Sequence, residues 1–184
     1  MLDSDLLPLT NDSVRIRPMT HADAATYADG THDAAVRAYA HLPAPEYSRE
    51  SVVEMIDGVI GQGLADGQLA VLTIADAETD QFAGSLVIFD VTTETGEVGF
   101  WLHPDARGNG LTGTALALAA QFAGESGLSL LTARTVVDNI PSQRVLAKAG
   151  FEPVHRGTGV APSGLEVELV HYERALLGSP HDGD

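Results

Sequence analysis

The run Trp101-Leu102-His103-Pro104-Asp105-Ala106-Arg107-Gly108-Asn109-Gly110-Leu111-Thr112-Gly113-Thr114-Ala115-Leu116 constrains this chain more than any other stretch of it. An apolar, strand-like start passes through a glycine-rich turn directly into an Ala/Leu-rich helix. Glycine reaches left-handed backbone conformations at little cost, so neighbouring N–H groups can point outward together. The first N–H groups of a helix lack partners inside it and carry a partial positive charge. Strand, glycine turn and helix start in that order make a cradle for phosphate out of backbone alone. The alternative for the segment by itself is a turn whose glycines only let strand and helix pack.

Charge makes the cradle informative. Ten Lys+Arg against 26 Asp+Glu give a formal net charge of -16. Such a balance excludes a general nucleic-acid or anionic-membrane binder, because phosphate affinity needs cations that displace counterions. Any anionic ligand has to be held locally. The absence of cysteine excludes disulfide frameworks, thiolate metal sites and a thiol nucleophile. The seven histidines show no His-x-x-x-His spacing, so no metal is expected. The N-terminal MLDSDLLPLTND carries acids where a secretory signal needs basic residues, and no apolar run approaches the ~20 residues of a membrane span. A cytoplasmic location is expected.

Gly108-x-Gly110-x-x-Gly113 also spells the dinucleotide fingerprint. That reading needs a parallel βαβ unit with an acid about 20 residues on, at the end of the second strand, to hold a ribose hydroxyl. Here the next strand closes Ala133-Arg134-Thr135-Val136-Val137, with arginine in the acid's place, and the glycines lie past the middle of the chain. A nicotinamide-dependent oxidoreductase is the weaker reading.

A chain of 184 residues has the length of one domain. Its body is expected over 13–177, with 1–12 and 178–184 as flexible tails, because both ends mix polar residues, proline and glycine without a period. Val14-Arg15-Ile16-Arg17 alternates as a short strand stopped by Pro18. Thr20, with Asp23 three residues on, opens a helix toward Gly30, and a second short helix follows to about Ala40. Helical spacing from Ser48 fades near Gly61, Gly63 and Gly67. Leu69–Ala75, Phe82–Asp90 and Glu97–Leu102 then read as a strand meander. A helix from Gly110 to Ser126, a strand Leu128–Val136, a helix Ile140–Ala149 and strands near Phe151–His155 and Leu165–Tyr172 complete an α/β order. That order predicts one mixed sheet covered on both faces.

A second segment, Asp138-Asn139-Ile140-Pro141-Ser142-Gln143-Arg144-Val145-Leu146-Ala147-Lys148-Ala149-Gly150-Phe151, follows the glycine turn at a telling distance. Together the two segments resemble the GCN5-related N-acetyltransferase (GNAT) superfamily, in its RimJ/RimL-like branch. The family's acyl-CoA loop, Arg/Gln-x-x-Gly-x-Gly/Ala, is matched by Arg107 and Gly110, with Thr112 in the last place. The branch pattern Asn-x-x-Ser-x-x-Val-Leu-x-Lys-x-Gly-Phe is matched at Asn139, Ser142, Val145, Leu146, Lys148, Gly150 and Phe151. The resemblance implies a GNAT fold: a mixed, mostly antiparallel sheet of six to seven strands flanked by about four helices. It implies that the strand Glu97–Leu102 splays from Leu128–Val136 and that acetyl-CoA enters the gap. Peptide groups of Trp101, Leu102 and His103 would then face the pantetheine. The loop Arg107, Gly108, Asn109, Gly110, Leu111 and Thr112 would hold the pyrophosphate, with Asn139 and Arg144 beside it.

Acyl transfer to an amine needs a deprotonated amine, a donor for the developing oxyanion and a proton for the departing thiolate. No enzyme nucleophile is required, which suits a cysteine-free chain. By the resemblance, the Leu102 N–H serves the oxyanion. Many relatives supply the thiolate proton from a tyrosine seven residues after the motif asparagine, but that position is Leu146, so the role passes to Ser142. Glu97, on the face shared with Gly99 and Trp101, is the candidate to accept the amine proton. The acceptor is a small amine or a protein N-terminus. It is expected to be cationic, because residues 20–67 hold Arg37 and Arg49 against eight acids. A homodimer is common among relatives. The rival reading is a non-catalytic acyl-CoA-binding module on the same fold.

Overall fold

The computed structural model describes residues 1–40, 42, 44–160 and 166–176. The alternation at Val14-Arg15-Ile16-Arg17 becomes strand β2 (Val14–Pro18), with Val14 and Ile16 fully buried. Burial alternates likewise at the start of β5 (Thr95–Leu102) and β6 (Leu130–Val136), whereas β3 (Ala70–Asp76), β4 (Phe82–Phe89) and part of β8 (Glu166–Ala175) are buried at consecutive residues, as strands covered on both faces are. With β1 (Leu9–Thr10) and β7 (Glu152–Val160) they form one sheet in the order β1-β2-β3-β4-β5-β6-β8-β7. Every neighbouring pair is antiparallel except β5 and β6. The expected strand count was six to seven. The eighth is β1, which pairs Leu9 with Ile16 and Thr10 with Arg15.

Order therefore begins ahead of Ser13. Leu2 is buried in the main core, and Leu6, Leu7 and Leu9 pack against it. Four leucines without a helical or strand period gave no sign of this, since they are buried by a docked loop and a two-residue strand. Residues 178–184, the other expected tail, lie outside the described residues, as does Leu165 at the expected start of the last strand.

The two sheet faces carry different covers. One packs against α5 (Leu111–Glu125) and α6 (Ile140–Lys148), enclosing Leu72, Leu86, Ile88, Val98, Leu116, Phe122, Leu131 and Leu146. The other is covered over β3 to β5 by α1 (Ala24–Gly30) and α3 (Arg49–Met55), around Tyr27, Tyr47, Val52 and Trp101. The short α2 (Ala34–Tyr39) follows α1, and α4 (Gly61–Ala65) follows α3 across a wide turn at Ile56–Ile60, where Gly58 leaves helical geometry. The Tyr27 and Trp101 rings meet edge to face at 5.1 Å.

One buried ion pair ties α1 to the sheet. Arg17 grips Asp23 with both guanidinium nitrogens at 2.7 and 2.9 Å, while the Thr20 N–H and the Thr73 hydroxyl donate to the same carboxylate at 2.8 and 3.0 Å. Burial pushes the Asp23 carboxyl up, but Arg17 and these donors outweigh it and hold it below its ordinary value. The expected cap at Thr20 is thus a reciprocal one, with Asp23 three residues on.

Candidate active site

Strands β5 and β6 pair over only three positions, Thr95 with Leu130, Gly96 with Leu131 and Glu97 with Thr132. Beyond Glu97, β5 stays bonded to β4 as far as Leu102 opposite Gly84, and β6 stays bonded to β8 as far as Val136 opposite Leu169. Each strand follows its antiparallel neighbour, so the two diverge and a cleft of about 860 Å³ opens through the sheet. A cleft through a sheet has two mouths, and strand alternation assigns the walls. Val98 and Phe100 turn toward the α5 and α6 face, Trp101 toward the α1 and α3 face.

Hydrogen-bond parity decides which peptide groups of β5 reach the cleft. The His103 N–H donates to the Ala83 carbonyl at 2.9 Å, so His103, Trp101, Gly99 and Glu97 direct their backbone groups at β4. Those of Leu102, Phe100 and Val98 point the other way, toward the opening. This corrects the expectation for Trp101 and His103, whose backbone groups are already bonded within the sheet, and leaves Leu102 with Phe100 as the available pair. Trp101 still lines the cleft through its ring. His103 is buried outside it: Nδ1 accepts the Asp105 N–H at 3.3 Å, which leaves the proton on Nε2, facing Asp29 at 3.2 Å.

At the α5 and α6 mouth, Gly108 and Gly110 have φ of 88° and 74°, and Gly110 caps α5 in the left-handed conformation. A Cβ at either glycine would meet open space, so backbone conformation, and not crowding, asks for glycine there. No side chain caps the start of α5, and Thr112 in its first turn is buried against the cleft. Asn139 is the N-cap of α6 and accepts the Ser142 N–H at 3.3 Å. Both line the cleft, and among the described residues no group bonds the Ser142 hydroxyl. Leu146 is 1% exposed and belongs to the core.

Two expected residues are placed differently. Arg144 is exposed on α6 and does not line the cleft. Arg107 does line it, but its guanidinium reaches across to the α2 cap, 2.6 Å from Asp33, and to the Leu102 carbonyl at 3.3 Å. Arg107, then the Val36 N–H, hold the Asp33 carboxyl below its ordinary value.

At the other mouth Glu97 accepts a 2.8 Å contact from Arg134 Nε, closing an ion pair across the end of the β5–β6 pairing. In the sequence Arg134 stands as a misfit to the dinucleotide pattern and as one of five cations between 107 and 156, where the resemblance puts CoA; the register brings it to Glu97. Leu169 of β8 shares this face, and Tyr39 of α2 and Asp138 also line the cleft; Val160 of β7, paired with Glu166, lies on the face of Val170 and Tyr172. Nothing in the sequence joins residues from three separate elements. None of the acids in 20–67 lines the cleft. Asp23 is bound by Arg17, Asp29 by His103, Asp33 by Arg107, and Asp57 contacts His21. Among the described residues no three His, Asp or Glu side chains could hold a metal ion, and no helix is long and apolar enough to cross a membrane.

Residues 13–152 match the family model described as an acetyltransferase (GNAT) domain. This chain belongs to the GNAT acetyltransferase family. Among solved structures it is similar to Mycobacterium smegmatis RimJ in complex with CoA-disulfide, at 20% identity and a TM-score of 0.80 over 88% of this chain and 81% of that one. The ribosomal-protein-S5-alanine acetyltransferase of Vibrio fischeri gives 15% and 0.77 over 92% and 96%. The microcin C7 self-immunity acetyltransferase MccE, in complex with acetyl-CoA and AMP, gives 18% and 0.79 over 90% and 94%. At these identities the likeness is one of fold. No curated protein matches the sequence. GNAT acetyltransferases take their acetyl group from acetyl-CoA, and the splayed β5–β6 cleft with a glycine turn at one mouth is the GNAT architecture read from the motifs.

Proposed function

We propose that this GNAT acetyltransferase moves the acetyl group of acetyl-CoA to a primary amine by direct attack, with both substrates in the cleft. The observation that carries the reading is the opening of the sheet beyond Glu97, which exposes the Leu102 and Phe100 peptide groups beside an uncapped helix start. The N–H groups of Gly108, Asn109, Gly110, Leu111 and Thr112 bind the pyrophosphate. The Leu102 N–H donates to the oxygen that gains charge as the amine attacks. A C–N bond forms and the C–S bond breaks; the Ser142 hydroxyl gives its proton to the departing sulfur and is replenished from water. Glu97 accepts the proton that the ammonium loses, directly or through water. Asn139 positions Ser142 by holding its N–H, and Arg107 fixes the loop against α2.

The test is thiol release from acetyl-CoA across a panel of amines. Amine-dependent release with equimolar N-acetyl product supports the reading. Tight CoA binding without release on any amine replaces it with the binding-module reading, which the burial of Leu146 at the usual tyrosine position favours.

A further inference from the structure

Resting on that reading, we propose that Asp33 is a positioning residue for the acyl donor: it anchors the Arg107 guanidinium so that the nitrogens left over meet the pyrophosphate of acetyl-CoA. The segments 29–33 and 103–107 meet at two points, four residues apart on each. His103 Nε2 faces Asp29 at 3.2 Å, and Arg107 Nη2 donates to Asp33 Oδ1 at 2.6 Å. Between these points the end of α1 lies so close to β5 that a Cβ on Gly30 would be 2.7 Å from Trp101 Cζ3 and 2.9 Å from His103 Cδ2. Asp33 is itself held. The same oxygen accepts the Ala35 and Val36 N–H groups at 3.1 and 3.0 Å, as the N-cap of α2. A carboxylate fixed in this way is an anchor, and the guanidinium that reaches it is fixed in turn.

Arg107 makes these contacts through one nitrogen. Nη2 bonds Asp33 and the Leu102 carbonyl, and among the described residues nothing bonds Nε or Nη1. The side chain lines the cleft and belongs to the residue directly before Gly108. A planar guanidinium held by one nitrogen presents the others in a set direction, on which charge-assisted bonds to phosphate depend. Charge counting alone predicts the opposite influence, because an acid near a phosphate repels it and a protein of net charge -16 would gain donor affinity by losing one. Orientation outweighs repulsion here. The Asp33 charge is already offset by contact with Arg107, whereas an exposed arginine without an anchor loses rotamer freedom when it binds.

Kd for CoA is to be measured by calorimetry in the parent protein, Asp33→Asn, Arg107→Gln and the double variant. Asparagine still caps α2, so Asp33→Asn removes the charge and keeps the helix start. It should weaken CoA binding roughly 5-fold, Arg107→Gln should weaken it roughly 10-fold, and adding Asp33→Asn to Arg107→Gln should change it by less than about twofold. Asp33→Glu, which keeps the charge, should recover part of the loss. Unchanged or tighter binding in Asp33→Asn overturns the proposal. A loss of the same size that persists in the Arg107→Gln background also overturns it, since Asp33 would then act through α2 and not through Arg107. A parent protein that binds no CoA overturns the donor reading and this inference with it, whereas a parent that binds CoA no better than Asp33→Asn overturns this inference alone.

Discussion

On its α5 and α6 side the cleft is bordered by the two ends of one turn, Arg107 and Thr112, and by the capped start of α6, whereas its other wall is gathered from β5, β6 and β8. The first border offers backbone N–H groups, whose direction is set by two left-handed glycines and a helix start. The second offers side chains: Glu97, Arg134 and Leu169. A backbone device tolerates many neighbouring side chains but not a change of conformation. A side-chain wall is altered by any substitution in it, with the strands beneath unmoved. On the proposed function, the phosphate end is thereby fixed in kind and the acceptor end is adjustable.

The contrast is broken most directly at Gly110. Gly110→Glu forces a Cβ into the left-handed conformation, at about 1–2 kcal/mol, and adds a negative charge at the helix start. CoA affinity by calorimetry should fall by roughly 100-fold or more in a protein that still folds, because the new side chain points into open space. Gly110→Ala separates conformation from charge and should lose less. Unchanged affinity in the folded Glu variant would falsify the backbone cradle. Next in size is Ser142→Ala, which should lower kcat by roughly 10- to 100-fold with CoA affinity little altered. A kcat within twofold of the parent means that water supplies the thiolate proton and that Ser142 is a helix-start residue only.

The same contrast governs how much could be read in advance. Glycine spacing and the Asn139–Ser142 pattern are local, so the turn before α5 and the start of α6 were legible, as was the meander, which rests on apolar runs separated by turn signals. Peptide-group direction was not legible: choosing Leu102 and Phe100 over Trp101 and His103 requires knowing that His103 bonds to Ala83. Counting acids in 20–67 does not describe the acceptor wall, because composition does not say that Asp33 faces Arg107 or that Asp23 faces Arg17. The Glu97–Arg134 pair was invisible for the same reason, since the two are joined only by a three-residue parallel register.

A smaller effect is expected at Glu97. Glu97→Gln keeps the shape of the side chain but cannot take a proton, and kcat/KM for the amine should fall about 10-fold, less than a typical general-base loss because water has access to the same mouth. Arg134→Met in the parent background tests positioning. If Arg134 only orients Glu97, KM for the amine should rise while kcat changes less, and an equal fall of both parameters to the Gln level would assign Arg134 a part in the chemistry itself.

The smallest effect belongs to the histidines behind that wall. His171 stands opposite Arg134 on β6 and opposite His155 on β7, the two imidazoles stacked at 4.1 Å with planes 12° apart. Burial first, then the His155 and Arg134 charges, push His171 below its ordinary value. The unfolded chain therefore holds this proton more tightly than the folded one, so stability rises with pH through the window that ends near the reference value of ~6.5 and is lost as pH falls across it. Urea midpoints at pH 7.5 and 5.0 should show a larger acid loss in the parent protein than in His171→Gln, because glutamine cannot charge. Identical pH slopes in parent and His171→Gln would mean that burial and the neighbouring charges do not act on His171, and that the side-chain wall is as indifferent to acid as the glycine turn, which contains no titrating group between Gly108 and Gly113.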